Sequence, residues 1–175
     1  MRAMPITVTA LAAALLLTAC DSGGGDTNDE KTTGSGGACK IGAVGVEVGP
    51  VNAAPAAGDS GNVSVTITNT GSECTLDGFP ALTLQAGATS SAVARDEAAQ
   101  AQKLTLAKDA TATFTLTYVR GAAGGTKSLS VKAVKFALPG ADATHDFDWS
   151  YGDVALKNGT DQPDASVSAF QQAGD

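Results

Sequence analysis

Apolar and hydroxyl-bearing residues alternate without a break through Val63-Ser64-Val65-Thr66-Ile67-Thr68, and the run stops at Asn69-Thr70-Gly71-Ser72. A period of two with apolar side chains on one face marks a half-buried β-strand, and the Asn/Gly/Ser cluster behind it is turn chemistry. The same period returns at Leu82–Leu84, Leu104–Leu106, Phe114–Tyr118, Leu129–Val131 and Phe147–Tyr151, with an earlier run at Val44–Val48 and a last one at Val167–Ala169. Between them stand Asp77-Gly78, Ala107-Lys108-Asp109, the Gly121–Gly125 stretch, Pro139-Gly140 and Asn158-Gly159, all turn formers. Only residues 92–101 tolerate a helix, and that stretch is short, Ala-rich and without an apolar face. Seven or eight short strands separated by regular turns predict an all-β fold, an antiparallel β-sandwich.

The first 38 residues follow a different pattern. Arg2 is the only charge before an uncharged run from Pro5 to Ala19, which closes on Leu17-Thr18-Ala19-Cys20. This is the n-region, apolar h-region and small-residue cleavage site of an export signal. The run is shorter than the roughly 18 to 20 residues a membrane-spanning helix needs. The Leu, small, small, Cys pattern resembles the lipobox of bacterial lipoproteins, which implies diacylglyceryl transfer to the Cys20 thiol, cleavage before it and often acylation of the new amino terminus. Two acyl chains meet the two-signal requirement for stable anchoring. Residues 21–38 carry no apolar side chain larger than Ala. They cannot bury enough surface to offset ordering, and as a Gly/Ser-type tether they reach about 20–25 Å on average. The expected organisation is a signal over residues 1–19, a lipid-carrying Cys20 and tether over 20–38, and one domain over 39–175.

Charge narrows the set of partners. Removing the signal takes away Arg2 and leaves 10 basic against 18 acidic side chains, a formal charge of −8. Nucleic acid and a second, electrostatic membrane contact both need basic patches, so neither is expected. With Cys20 taken by lipid, Cys39 and Cys74 remain as an even pair in an oxidising compartment, where a disulfide is the default.

Candidate chemistry is sparse. The chain has one His, His145, expected as an exposed loop residue, and no strand-turn-helix setting for a nucleophilic Ser. Both methionines, Met1 and Met4, leave with the signal, which removes the soft ligands a copper site needs. The densest acidic stretch runs from Asp142 to Asp153. Period two places Asp146 and Asp148 on one strand face, where calcium could use them together with Asp142 or Asp153 from the flanking turns, although the spacing matches no ordered calcium loop. On the opposite face Phe147, Trp149 and Tyr151 form an aromatic stripe. It is read as core, with Trp149 packed near the disulfide, and alternatively as an outward platform for sugar or peptide.

The segment Thr68-Asn69-Thr70-Gly71-Ser72-Glu73-Cys74-Thr75-Leu76-Asp77-Gly78-Phe79-Pro80 resembles the signature of the domain of unknown function 4232 family, found in secreted and lipid-anchored proteins of high-GC Gram-positive bacteria. Cys39, Leu104-Thr105-Leu106-Ala107 followed by Ala110–Phe114, and Val167–Gly174 match in order. The resemblance covers nearly the whole domain and implies an immunoglobulin-like sandwich with a Cys39–Cys74 disulfide. It departs at Lys108-Asp109, where the family usually has Pro-Gly, and in lacking the family's later cysteines. It carries no catalytic residues. In the signature itself, Gly71 and Gly78 stand where turns favour positive φ, and Phe79-Pro80 sets an extended lead into the next strand.

These readings predict a module anchored to the cell membrane by lipid on Cys20, facing outside the cytoplasm. It is expected to bind an envelope protein or a cell-wall polymer through its end loops, with residues 86–102 long enough to form such a surface. No catalysis and no cofactor are expected. The alternative is a carboxylate-dependent enzyme using Asp146 and Asp148, or a calcium-binding module.

Overall fold

The alternation around Val63 becomes strand β2 (Ser60–Asn69), in which Val63, Val65 and Ile67 are fully buried and Ser64, Thr66 and Thr68 stay half-exposed. Its antiparallel partner β8 (Thr111–Val119) repeats the pattern with Ala112, Phe114, Leu116 and Tyr118 inward. The register runs from Ser60↔Val119 to Thr68↔Thr111. The outward face is a ladder of short polar side chains, including a Thr117 hydroxyl that donates to Asn62 Oδ1 at 2.8 Å. β-branched residues and cross-strand hydroxyl pairs both favour this pleated, half-buried geometry. The computed structural model describes residues 36–158 and 160–173. The expected signal, Cys20 and most of the expected tether lie outside the described residues.

Around β2 and β8 the larger sheet is completed by β1 (Val44–Asn52), β6 (Ala94–Arg95) and β13 (Ala165–Val167), in the order β1-β2-β8-β13-β6, with β14 (Gln171–Gln172) also on β8. The second sheet has the order β11-β10-β4-β5, from β4 (Ala81–Ala86), β5 (Thr89–Ala92), β10 (Ala133–Ala137) and β11 (Thr144–Asp148). Leu82 and Leu84 of β4 face Phe136 and Val134 of β10, and all four are buried. Phe114 from the first sheet meets Phe136 from the second with ring centroids 5.6 Å apart, and Phe170 closes on Phe114 edge-to-face at the same separation. This is the expected sandwich with an aliphatic core and few aromatic anchors. Two short ribbons flank it, β3 (Cys74–Asp77) with β7 (Lys103–Leu106) and β9 (Ser128–Leu129) with β12 (Val154–Ala155).

Among the described residues fourteen strands stand where seven or eight were expected. The most consequential addition is β10, a central strand of the second sheet. Val131 and Val134 are both buried, three residues apart, because Val131 N–H donates to Leu129 C=O at 2.9 Å in a tight turn that shifts the alternation by one. The period thus breaks at the start of a real strand. Residues 92–101 are not helical. They leave β5, cross between the sheets at Val93, whose N–H donates to Leu82 C=O at 2.9 Å, and enter β6. There the chain pairs in parallel with β13, Ser166↔Ala94 and Val167↔Arg95, whereas the other described strands pair antiparallel and a single parallel bridge joins Ala38 to Thr75. The crossing ties together the β5 and β6 edges, whereas β1 and β11 remain outer strands with one paired neighbour each.

Candidate functional site

One end of the sandwich is organised by Cys39, Cys74 and Asn69. The two cysteines are disulfide-bonded with Cα atoms 4.9 Å apart. Residues 37–39 run beside β3, with Cys39 N–H donating to Thr75 C=O and Thr75 N–H to Gly37 C=O, both at 3.0 Å. The chain leading into the domain is therefore stapled and hydrogen-bonded as soon as the domain begins. Asn69 is the only fully buried polar residue among those described. Its Nδ2 donates to the carbonyls of Ser72, Leu106 and Ala107 at 2.8, 2.9 and 3.2 Å, and its Oδ1 accepts from Gly71 N–H at 3.0 Å. A single amide thus joins the turn after β2 to the turn before β8. Every one of these partners is a backbone group, and together they satisfy the buried amide.

Gly71 has no positive φ and serves by close approach: a Cβ there would come within 3.3 Å of Ala43 Cβ. Gly78 does hold the left-handed backbone, at φ 106°. The Lys108-Asp109 departure puts Asp109 at φ 66°, the only non-Gly residue with positive φ among those described. Asp enters that region more readily than most side-chain-bearing residues.

The acidic stretch does not converge. Asp146 and Asp148 share the exposed outward face of β11, as the period predicts, and Asp146 Oδ2 lies 3.8 Å from Lys135 Nζ on the neighbouring strand. Asp142 is exposed in the turn before β11. Asp153 lies beyond the strand's other end, where its carboxylate accepts from Gly124 N–H at 2.9 Å. Among the described residues no three His, Cys, Asp or Glu side chains gather as a metal would need.

The aromatic stripe turns inward. Phe147 is half-buried opposite Val134, Trp149 is 6% exposed, and Tyr151 is half-buried. Trp149 packs edge-on between Tyr118 and Tyr151, at 4.8 and 4.9 Å, and its Nε1 donates to Gly152 C=O at 2.6 Å. These rings form no outward platform. The expected contact between Trp149 and the disulfide is also absent. Tyr118 pairs with Gly61 at one end of β2, whereas Asn69 and Cys74 lie at the other, because the indole follows the end of β11 instead of a central strand. Tyr118 adds a hydroxyl bond to Tyr151 C=O at 3.0 Å and accepts from Ala54 N–H at 3.3 Å. His145 was expected in an exposed loop and instead lies half-buried in β11, its ring 5.5 Å from that of Phe136. The β11 alternation starts two residues earlier than the sequence pattern suggested, which turns His145 to the same face as Phe147.

The sequence pattern gave no sign of an apolar groove of about 560 Å³ between residues 37–43 and 139–143. One wall is the stapled lead-in and a single 3₁₀ turn, Ile41–Ala43; the other is the Pro139-Gly140 turn between β10 and β11. It opens at the corner where the outer strands of the two sheets begin. Lys40 and Asp142 are its only charged lining residues, and most of the rest are Gly and Ala, whose missing side chains leave the volume open. Individually, small residues in a lead-in and a turn read as flexible connections, so the concavity needs the fold to bring them together.

No protein with a curated description matches this chain. A family model does match, over residues 39–171, from the first disulfide cysteine to the start of β14. That span takes in both sheets, the staple and the Asn69 junction, and the chain belongs to the family described as Domain of unknown function (DUF4232).

Proposed function

We propose that this protein is a lipid-anchored binding module of the cell envelope, held to the membrane through Cys20 and facing outside the cytoplasm. The observation that carries the reading is the apolar groove beside the point where the chain joins the domain. A concave, mostly apolar site with few polar groups is the form that recognition sites commonly take. The Cys39–Cys74 disulfide supports export, since such bonds persist in oxidising compartments. The lipobox-like Leu17-Thr18-Ala19-Cys20 supports the anchor.

Among candidate partners, the geometry favours an apolar ligand or an apolar surface on an envelope protein over a cell-wall polymer. Sugar recognition draws on exposed aromatic faces, and Phe147, Trp149 and Tyr151 are turned into the sandwich. The carboxylate-enzyme alternative has weaker support. Asp146 and Asp148 sit on an open strand face, and acid–base work by paired carboxylates relies on burial of one of them.

Membrane fractionation tests the anchor. The full chain, expressed in a bacterium that processes lipoproteins, is expected in the membrane fraction and to partition into detergent, whereas Cys20→Ser is released from it. Equal fractionation of the two forms would overturn the anchored reading.

A further inference from the structure

The groove's chemistry and its place at the tether end together define a ligand class. We propose that it receives one acyl chain of a lipid from the membrane that carries the anchor. This rests on the anchored reading above for its access to lipid, and it adds a ligand to it.

Three observations carry the inference. The walls are Ile41, Gly42 and Ala43 on one side and Pro139, Gly140 and Ala141 on the other. Apart from Lys40 and Asp142, the lining side chains offer no hydrogen-bonding group, so the groove favours a hydrocarbon, which leaves nothing unpaired against these walls. A volume of about 560 Å³ matches a hydrocarbon segment. At about 30 Å³ per methylene, close to the share of one liquid water molecule, it holds a chain on the order of fifteen to twenty carbons.

The groove's first residue, Gly37, follows Cys20 by 17 positions. A Gly-rich chain of that length spans about 20–25 Å, so this end of the domain is within reach of the bilayer surface. The disulfide keeps the groove's first wall in place whatever pull the anchor exerts, because Cys39 lies inside that wall and is bonded to β3.

The occupant is a neighbouring lipid and not the anchor itself. In the diacyl form, stable anchoring takes both chains, and withdrawing one from the membrane would weaken the attachment that gives the groove its access.

The test uses the mature chain with Cys20→Ser, which removes the anchor's lipid and leaves the domain sequence intact. The probe is cis-parinaric acid, whose emission rises in apolar surroundings. The expected result is a saturable rise at one site per chain, displaced by palmitic acid. Gly42→Trp and Ala141→Phe fill the groove from opposite walls and are expected to weaken binding by about tenfold or more. Gly42 has open space around a would-be Cβ and no positive φ, so its substitution leaves the backbone unstrained. Thr89→Phe, on the exposed β5 edge, is expected to bind as the parent does. Circular dichroism confirms that each variant is folded.

Absence of saturable binding by the folded parent, or binding unchanged by both filling substitutions, would overturn the proposal. In a second arm, the lipidated chain in phosphatidylglycerol vesicles carrying a photoactivatable acyl chain is expected to crosslink within residues 37–43 or 139–143. A lipidated chain that refuses the probe while Cys20→Ser accepts it would place the anchor's own chain in the groove and contradict the neighbouring-lipid assignment. Crosslinking of that acyl chain only outside residues 37–43 and 139–143 would contradict it equally. A chain that binds the probe yet carries no lipid on Cys20 defeats the anchored reading and leaves the ligand class standing.

Discussion

The Nδ2 amide of Asn69 donates to the carbonyl of Leu106 at 2.9 Å, joining positions 37 residues apart. It lies where β2 ends and β7 ends, so one side chain links two facing turns whose backbones also meet through Asn69 N–H to Ala110 C=O and Asp109 N–H to Asn69 C=O. Asn69→Ala leaves the Leu106, Ser72 and Ala107 carbonyls short of a donor in or near the core. A destabilisation of about 2–4 kcal/mol is expected, read as a lowered midpoint in urea unfolding. Asn69→Asp, which sets carboxylate oxygens against carbonyls, should be at least as damaging. A change under about 0.5 kcal/mol, the usual range of surface substitutions, would show the junction to be dispensable.

Asp109 offers the opposite kind of prediction. Its φ of 66° costs a side-chain-bearing residue more than it costs Gly. Asp109→Gly should leave thermal stability equal or raised by up to about 1 kcal/mol, and Asp109→Val should lower it by about 1–2 kcal/mol. The ordering Gly, Asp, Val is the finding to check by differential scanning calorimetry; Val equal to Gly would contradict the left-handed assignment.

Trp149 is the chain's only tryptophan, which makes its environment directly readable. Buried between Tyr118 and Tyr151, it should emit at short wavelength and resist iodide quenching until the domain unfolds. Tyr118→Phe keeps the ring stack and removes the hydroxyl bonds to Tyr151 and Ala54. It should therefore preserve the emission while lowering stability by about 1–2 kcal/mol. Free quenching of the native protein would mean that the stripe faces outward after all.

Reduction of the Cys39–Cys74 bond should add the mass of two hydrogen atoms to the intact chain. On a chain-entropy view it should also destabilise the domain by roughly 3–4 kcal/mol. Because the bond pins the groove's first wall, the double variant Cys39→Ser/Cys74→Ser should lose ligand binding before it loses the Trp149 environment at the other end. Simultaneous loss of both signals would contradict that division.

The core faces were legible in sequence because β2 and β8 are buried on one face only, and a period of two survives such burial. Val63, Val65 and Ile67 announce their strand, as Phe114, Leu116 and Tyr118 announce theirs. β10 was hidden for the opposite reason: the tight turn at Val131 shifts the phase just before it starts. The crossing through Val93 was equally invisible, since residues 92–101 show neither period and take their shape from Leu82 and β13. The cysteine pairing was readable from number and compartment alone. The groove was not, because its walls are almost 100 residues apart and consist mostly of Gly and Ala, whose contribution is the space they leave.

In the proposed anchored form, the working chain starts at a lipid-bearing Cys20 and presents this domain outside the cytoplasm. Intact-mass spectrometry of the protein extracted from membranes tests it most directly. The predicted result is a chain beginning at Cys20, heavier than its sequence by a diacylglyceryl group, with or without a further acyl chain, and lighter by two hydrogen atoms for the disulfide. A chain that retains residues 1–19, or one cleaved there with an unmodified Cys20 thiol, would contradict it.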